Sequence, residues 1–263
     1  MHHVTSSAKS PVSAPPMPMK HDHCALMLDV DQIFLDTADA TQADGVSAEV
    51  SQLLGGLIQA TDGALALISG RQLGDVDQRF GRISAAVAAS DGLDLRHADG
   101  SFRRRKVATE SHHRMHEIVV DLAARLDGVH LEESQQTATL HCDQDATQLS
   151  ALRIAAKMSV AQLPGYELQP GRDSVEFRPV AMNKGLAVRE FLRHRVFAGR
   201  TLIYLGGDLS DEQAFKRVNR VHGHSVRIGN REPTLAHYSL PDAAAARMWL
   251  GELRNTLAAG SRH

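Results

Sequence analysis

Short apolar runs that stop abruptly at polar residues mark the first part of the chain. Ala25-Leu26-Met27-Leu28 runs into Asp29-Val30-Asp31-Gln32, and Ala64-Leu65-Ala66-Leu67-Ile68 runs into Ser69-Gly70-Arg71. Uninterrupted apolar runs of this length fit strands buried on both faces, as in a parallel sheet. Between them, Val50, Leu53, Leu54, Leu57 and Ile58 recur at helical spacing, which predicts a helix over Ser47–Ala60 with Ser47 as its N-cap. A loop is expected over Leu35–Gly45 and a second helix over Leu73–Phe80. Strand, helix, strand, helix implies right-handed crossovers and a parallel sheet.

The middle of the chain changes pattern. Amphipathic helices are predicted over Thr109–Leu126 and Asp145–Leu163. Each precedes or follows a hairpin pattern, Val129–Glu133 with Thr137–Cys142, and Tyr166–Gln169 with Ser174–Arg178 across the turn Pro170–Asp173. The parallel pattern then resumes: helix Lys184–His194, strand Thr201–Leu205, turn Gly206-Gly207-Asp208, helix Glu212–Asn219, strand Ser225–Ile228 and helix Pro241–Leu257, anchored by Trp249 and Leu250. The expected fold is α/β, a Rossmann-like core interrupted by an inserted α+β cap. The segments are a tail over 1–22, core over 23–103, cap over 104–179 and core again over 180–263.

Composition narrows the function classes. The 263 residues can bury a substantial core, and a net charge of −2 gives no general pull toward nucleic acid. Two distant cysteines, Cys24 and Cys142, fit free thiols in a reducing compartment, so a cytoplasmic protein is expected. No apolar stretch approaches the roughly 18 residues needed to span a membrane. The tail is rich in Ser, Pro and His and lacks an apolar core segment; it reads as disordered rather than as a secretory signal. His2, His3, His21 and His23 read as solvated. Arg103-Arg104-Arg105-Lys106 reads as a solvated basic hinge into the cap. His112 and His116 have an i, i+4 spacing that can bind zinc, but the glutamate of the metalloprotease pattern does not follow His112.

Four segments end strands or open helices of the expected core: Asp29-Val30-Asp31, Ser69-Gly70-Arg71, Asn183-Lys184-Gly185 and Gly207–Glu212. In an open α/β sheet all four can converge at the C-terminal ends of the strands, where ligands bind. Alternation along a strand would point Asp29 and Asp31 to one side. Carboxylates suit Mg²⁺, a Ser hydroxyl and a Lys ammonium suit phosphate oxygens, and an Asp can attack phosphorus.

These residues, with Asp62–Arg71, Val175–Pro179 followed by Lys184-Gly185, and Gly206–Glu212, make the chain resemble the trehalose-6-phosphate phosphatases of the haloacid dehalogenase superfamily from about Cys24 to Trp249. The resemblance implies a Mg²⁺-dependent phosphatase acting on trehalose 6-phosphate through an aspartyl-phosphate, with a cap that closes over the substrate. It implies Asp29 as nucleophile, Asp31 as general acid/base, and Ser69, Gly70 and Lys184 at the phosphate. Arg71, Glu176 and Arg178 fall to the substrate or hinge, and Asp29, Asp31, Asp208 and Asp211 to the metal. It implies a small-molecule sugar phosphate as partner, with no nucleic acid and no membrane.

The chain departs from the family pattern at named positions. Gln32 and Ile33 stand where the family has Gly-Thr, and Gly207 stands where the acidic loop has its first carboxylate. Ala89–Asp94 replaces Gly-x-His-Gly-Ala-Glu, and Ser134-Gln135 replaces a Lys-Gly pair of the cap. Three readings follow: a phosphatase for trehalose 6-phosphate, a phosphatase for another sugar phosphate, and a catalytically impaired relative that binds a sugar phosphate or a protein.

Overall fold

The computed structural model describes residues 13–19, 22–35, 45–134, 136–143, 146–230 and 232–259. It divides into two compact units, the first ending at Arg104 and resuming at Asn183, the second spanning Arg105–Met182. Most of the expected loop over Leu35–Gly45, the histidines at 2, 3 and 21, Gln135 and the start of the helix at Asp145 lie outside the described residues.

The first unit is built on β1 (Cys24–Asp29), whose six residues are all buried. Parallel neighbours flank it on both sides: β2 (Leu65–Ile68) and β10 (Thr201–Gly206), with Leu28 opposite Leu67 and Leu205. Beyond β2 lie β3 (Ala86–Ala89) and antiparallel β4 (Asp94–Arg96) and β5 (Phe102–Arg104); beyond β10 lie β11 (His224–Ile228) and β12 (Tyr238–Leu240). Alternate residues of β1 serve opposite faces. Leu26 and Leu28 pack with α1 (Ala48–Ala60), α2 (Leu73–Phe80) and α7 (Ala243–Ala258), through Leu54, Leu57, Val76, Trp249 and Leu253. Ala25 and Met27 pack with α5 (Lys184–Phe191) and α6 (Asp211–Arg220), through Val188, Phe191, Phe215 and Val218. A strand covered by helices on both faces must be apolar at every position, which is what the sequence shows. Ser47 caps α1 as expected, its Oγ accepting from Val50 N–H at 3.3 Å.

The second unit holds α3 (Thr109–Arg125), β6 (Val129–Glu133), β7 (Ala138–Cys142), α4 (Ala146–Val160), β8 (Tyr166–Pro170) and β9 (Ser174–Pro179). Both expected hairpins form, and the β7–β9 pairing joins them into one antiparallel sheet, in the order β6-β7-β9-β8. One face is dry: Ala138, Leu140, Val175 and Phe177 meet Met115 and Val119 of α3 and Leu152 and Ala156 of α4. Cys24 and Cys142 are free and buried.

Several expectations change. β3, β4, β5 and β12 have no counterpart in the sequence reading. α5 stops at Phe191 and α4 at Val160, each short of its expected end. Order reaches into the segment expected as a disordered tail: Pro15 and Pro18 are buried, Met17 packs on the core, and Ser239 N–H donates to the Ser13 carbonyl at 3.1 Å. Arg103 and Arg104 are exposed, as expected, and also paired, reaching Glu190 at 2.9 Å and Asp94 at 2.6 Å. Among the described residues no helix is long and apolar enough to cross a membrane.

Close packing of α5 against α6 depends on Gly185, where an added Cβ would run into the Gln213 carbonyl. Backbone cannot yield as a flexible side chain does. Gly185→Ala is therefore expected to lower unfolding free energy by about 1–3 kcal/mol, read as a shift in the urea midpoint of far-UV circular dichroism.

Candidate active site

β1 sits where the chain order reverses, with β2 on one side and β10 on the other, so the crevice beyond its C-terminal end is the expected ligand position. Asp29 closes the strand and is wholly buried. The strand does not continue to Asp31. Asp31–Leu35 coils into a π-type turn that buries Ile33, Phe34 and Leu35 in the core. Strand alternation therefore does not relate the two aspartates, and the turn does: Asp31 N–H donates to Asp29 Oδ1 at 3.0 Å. The Asp31 carboxylate folds onto the segment after β2. It accepts from Ser69 Oγ and Gly70 N–H, both at 2.8 Å, and from Arg71 Nε at 3.2 Å. Three donors from three consecutive residues thus converge on one anionic group.

Lys184 enters from the first turn of α5, a helix start fixed by Asn183, whose Oδ1 accepts from Leu186 N–H at 3.1 Å. Its ammonium is buried and donates to Asp29 Oδ2 and Asp211 Oδ1, each at 2.9 Å, with Asp91 Oδ1 at 3.9 Å. Burial alone would lower the lysine, but Asp211, Asp29 and Asp91 outweigh it and hold Lys184 well above its ordinary range. Asp29 is pushed up by burial and by the charge of Asp211, with Lys184 opposing. Asp211 is held below the ordinary range: burial raises it, but the Lys184 charge and hydrogen bonds from Asp29, Tyr204 and Lys184 prevail.

The loop after β10 wraps around Asp211. Gly207 and Asp208 N–H both donate to its Oδ2 at 2.8 Å, and Tyr204 O–H donates to its Oδ1 at 2.6 Å. Four donors engage this buried carboxylate and hold the loop around it. Gly206 is required there, since a Cβ would strike the Asp211 carboxyl group. At Gly207 a Cβ would lie 2.8 Å from the Ile228 carbonyl and 3.0 Å from Gln32 Oε1. Asp208 is exposed at its surface, yet desolvation by the surrounding site raises its carboxyl group while Lys184 opposes the rise.

The first unit thus brings together Asp29, Asp31, Ser69, Gly70, Arg71, Lys184, Asp208 and Asp211. Glu176 and Arg178 belong to the second unit. Arg178 is buried there and donates to Gln169 Oε1 at 2.6 Å and to the Met182 carbonyl at 2.7 Å, with Glu176 at 3.9 Å. Arg178 thereby braces the end of its unit. His112 and His116 do not share a ligand: His112 Nδ1 faces Tyr166 Oη at 3.0 Å and His116 Nδ1 faces Glu133 at 2.7 Å. Tyr204 was not visible as a site residue, being hidden in an apolar strand. Asp91 follows Ser90, and both adopt positive φ, 50° and 48°; strain of this kind clusters at functional sites.

The donors at the end of β1 are all oxygens: Asp29, Asp31, the Gln32 amide and Asp208. That chemistry fits a hard divalent cation such as Mg²⁺. Among the described residues no group of three Asp, Glu, His or Cys side chains is arranged to hold a metal ion by itself.

Removing Asp211 leaves Lys184 buried with Asp29 as its nearest carboxylate. Asp29 can then ionise fully, which limits the loss, so Asp211→Asn is expected to cost about 3 kcal/mol, the low end for a broken buried pair. Tyr204→Phe, which removes one donor, is expected to cost about 1–2 kcal/mol. Urea titrations followed by Trp249 fluorescence check both, and the order Asp211→Asn beyond Tyr204→Phe is the discriminating result.

Residues 27–244 match the family model described as trehalose-phosphatase. The chain is 35% identical over 228 residues to a probable trehalose-phosphate phosphatase of Sinorhizobium fredii, covering 86% of each chain. It is 32% identical over 205 residues to the trehalose-6-phosphate phosphatase of Escherichia coli, covering 76% of this chain and 75% of that one. The fold is similar to the structure of Aspergillus fumigatus trehalose-6-phosphate phosphatase, with a TM-score of 0.71 at 22% identity over 89% of this chain and 93% of that one. It is also similar, with a TM-score of 0.61 at 14% identity, covering 88% of this chain and 100% of the other, to a haloacid dehalogenase-like hydrolase from Bacteroides thetaiotaomicron. With the α/β core and the buried Asp29–Lys184–Asp211 network already in place, these matches settle the family: the chain belongs to the trehalose-phosphatase family of hydrolases.

Proposed function

We propose that this chain hydrolyses trehalose 6-phosphate to trehalose and inorganic phosphate. The observation that carries the reading is the buried Asp29–Lys184 pair at 2.9 Å, set beside the converging donors of Ser69, Gly70 and Arg71. A carboxylate held against an ammonium is oriented for attack, and the adjacent donors suit the equatorial oxygens of a phosphoryl group. Asp31 now occupies those donors. An arriving phosphoryl group takes them over and frees Asp31 to face the leaving oxygen.

In the proposed reaction Asp29 attacks phosphorus, the bond from phosphorus to the sugar oxygen breaks, and Asp31 gives that oxygen a proton. Asp31 then takes a proton from water as the water oxygen attacks the aspartyl-phosphate. The bond from phosphorus to Asp29 breaks, releasing phosphate and restoring both carboxyl groups. Lys184 and Ser69 hold the phosphoryl oxygens throughout. Asp29, Asp31 and Asp208 would hold Mg²⁺, which would supply charge neutralisation and keep Asp29 ionised. In the second unit Glu176 is the proposed contact to sugar hydroxyls, with Arg178 bracing it.

A second reading, a relative that binds the sugar phosphate without turnover, is favoured by Gly207, which brings no carboxylate to the loop. Phosphate release from trehalose 6-phosphate in millimolar Mg²⁺ separates the two. We expect turnover in the parent and background rates in Asp29→Asn; binding of trehalose 6-phosphate by calorimetry with no phosphate release in the parent would select the second reading.

Arg71 is 40% exposed and contributes one donor to the anion position. Arg71→Ala is expected to raise KM about tenfold with kcat within a fewfold of the parent, the pattern for loss of uniform binding. Steady-state kinetics check it, and an unchanged KM would remove Arg71 from the phosphate site.

A further inference from the structure

Gly207 and Gln32 meet across the ends of two neighbouring strands. Gln32 lies in the turn Asp31–Leu35 that follows β1, and Gly207 lies in the loop that follows β10; β1 and β10 pair in parallel. The Gly207 N–H is pinned to Asp211 at 2.8 Å, which fixes the backbone of the loop. A Cβ built on that backbone would lie 2.8 Å from the Ile228 carbonyl and 3.0 Å from Gln32 Oε1. The amide oxygen therefore borders the position from which a side chain at 207 would project. Ile33, Phe34 and Leu35 are buried in the core, which anchors the turn and limits where Gln32 can go. A primary amide oxygen is a hard, neutral donor, of the class that joins carboxylates and water around Mg²⁺ or Mn²⁺.

We propose that Gln32 Oε1 is a ligand of the divalent cation in this chain, supplying from the β1 turn the oxygen that the glycine at 207 cannot supply from the β10 loop. The inference rests on the Mg²⁺-dependent reading given above. It makes the glutamine and the glycine one arrangement: a side chain at 207 would press on the Ile228 carbonyl and push the Gln32 amide from its place. A neutral donor also adds no further negative charge where Asp29, Asp91 and Asp211 already surround one lysine.

The test is Mg²⁺ titration calorimetry on the full chain without substrate, for the parent, Gln32→Met, Gln32→Glu and Asp29→Asn. Methionine keeps the length and packing of glutamine and removes the oxygen. Gln32→Met is expected to weaken Mg²⁺ about tenfold or more. Gln32→Glu, which keeps the oxygen and adds a charge, is expected to bind roughly fivefold tighter than the parent. Asp29→Asn is expected to abolish binding. Urea midpoints confirm that each variant is folded, and if Gln32→Met were not, the Gln32→Glu shift decides alone. Equal affinity in the parent, Gln32→Met and Gln32→Glu, with binding still lost in Asp29→Asn, overturns the role of Gln32 and leaves the Mg²⁺-dependent reading standing. Failure of the parent to bind Mg²⁺ at millimolar concentration overturns that reading and this inference with it.

Discussion

Lys184 brings a positive charge to a place that water does not reach, and the surrounding structure is arranged around satisfying it. Moving an ammonium out of water costs several kcal/mol even after the protein relaxes, unless counter-charges and hydrogen bonds replace the lost hydration. Asp29 and Asp211 provide both, from the ends of β1 and the start of α6, each at 2.9 Å. Two carboxylates so close cannot both ionise freely, hence the upward push on Asp29. The rest of the loop follows from Asp211: Tyr204 and the amides of Gly207 and Asp208 complete its acceptors. Gly185 and Gly206 are glycine because α5, α6 and the Asp211 carboxyl group must come this close.

The same logic governs the other half of the site. Ser69, Gly70 and Arg71 present donors at a strand end, and Asp31 answers them. Each charged group is thus balanced by a neighbour before any substrate arrives. In the proposed reaction phosphate entry exchanges one anion for another on the same donors, so little new polar surface has to be reorganised for that step. A preorganised arrangement of this kind is where electrostatic catalysis is most effective.

Much of this was legible in the chain. β1 and β2 were visible because a strand covered on both faces must be apolar throughout, and the charges at their ends stood out against that background. Both hairpins of the second unit were visible from alternation, Ala138, Leu140 and Cys142 facing in while Thr139 and His141 stay partly exposed. β3 was not visible, because Ala86, Ala88 and Ala89 carry no strand preference and are strand only through their neighbours in the sheet. β4 and β5 were hidden by Arg96, Arg103 and Arg104, whose charges are met laterally; Asp94 takes two hydrogen bonds from Arg104, at 2.6 and 2.7 Å. The commitment of Asp211 was hidden too, since two of its four donors are backbone amides and leave no trace in residue type.

Departures from a family pattern are counted one position at a time, and that count misleads where two positions share a volume. Read along the chain, Gln32 is a lost glycine and Gly207 a lost carboxylate, two injuries to one site. Read in space, a side chain at 207 would meet the Ile228 carbonyl at 2.8 Å, and the Gln32 amide oxygen lies beside the same position at 3.0 Å. Oxygen donors are exchangeable around a hard cation in a way that nucleophiles are not, because the ion responds to the position and number of oxygens more than to the residue that carries them. Asp29 has no such substitute in the proposed reaction, where its oxygen forms and breaks a bond to phosphorus. Metal ligands are therefore the part of this site most free to move between strands, and the Gln32–Gly207 pair is where the chain has used that freedom.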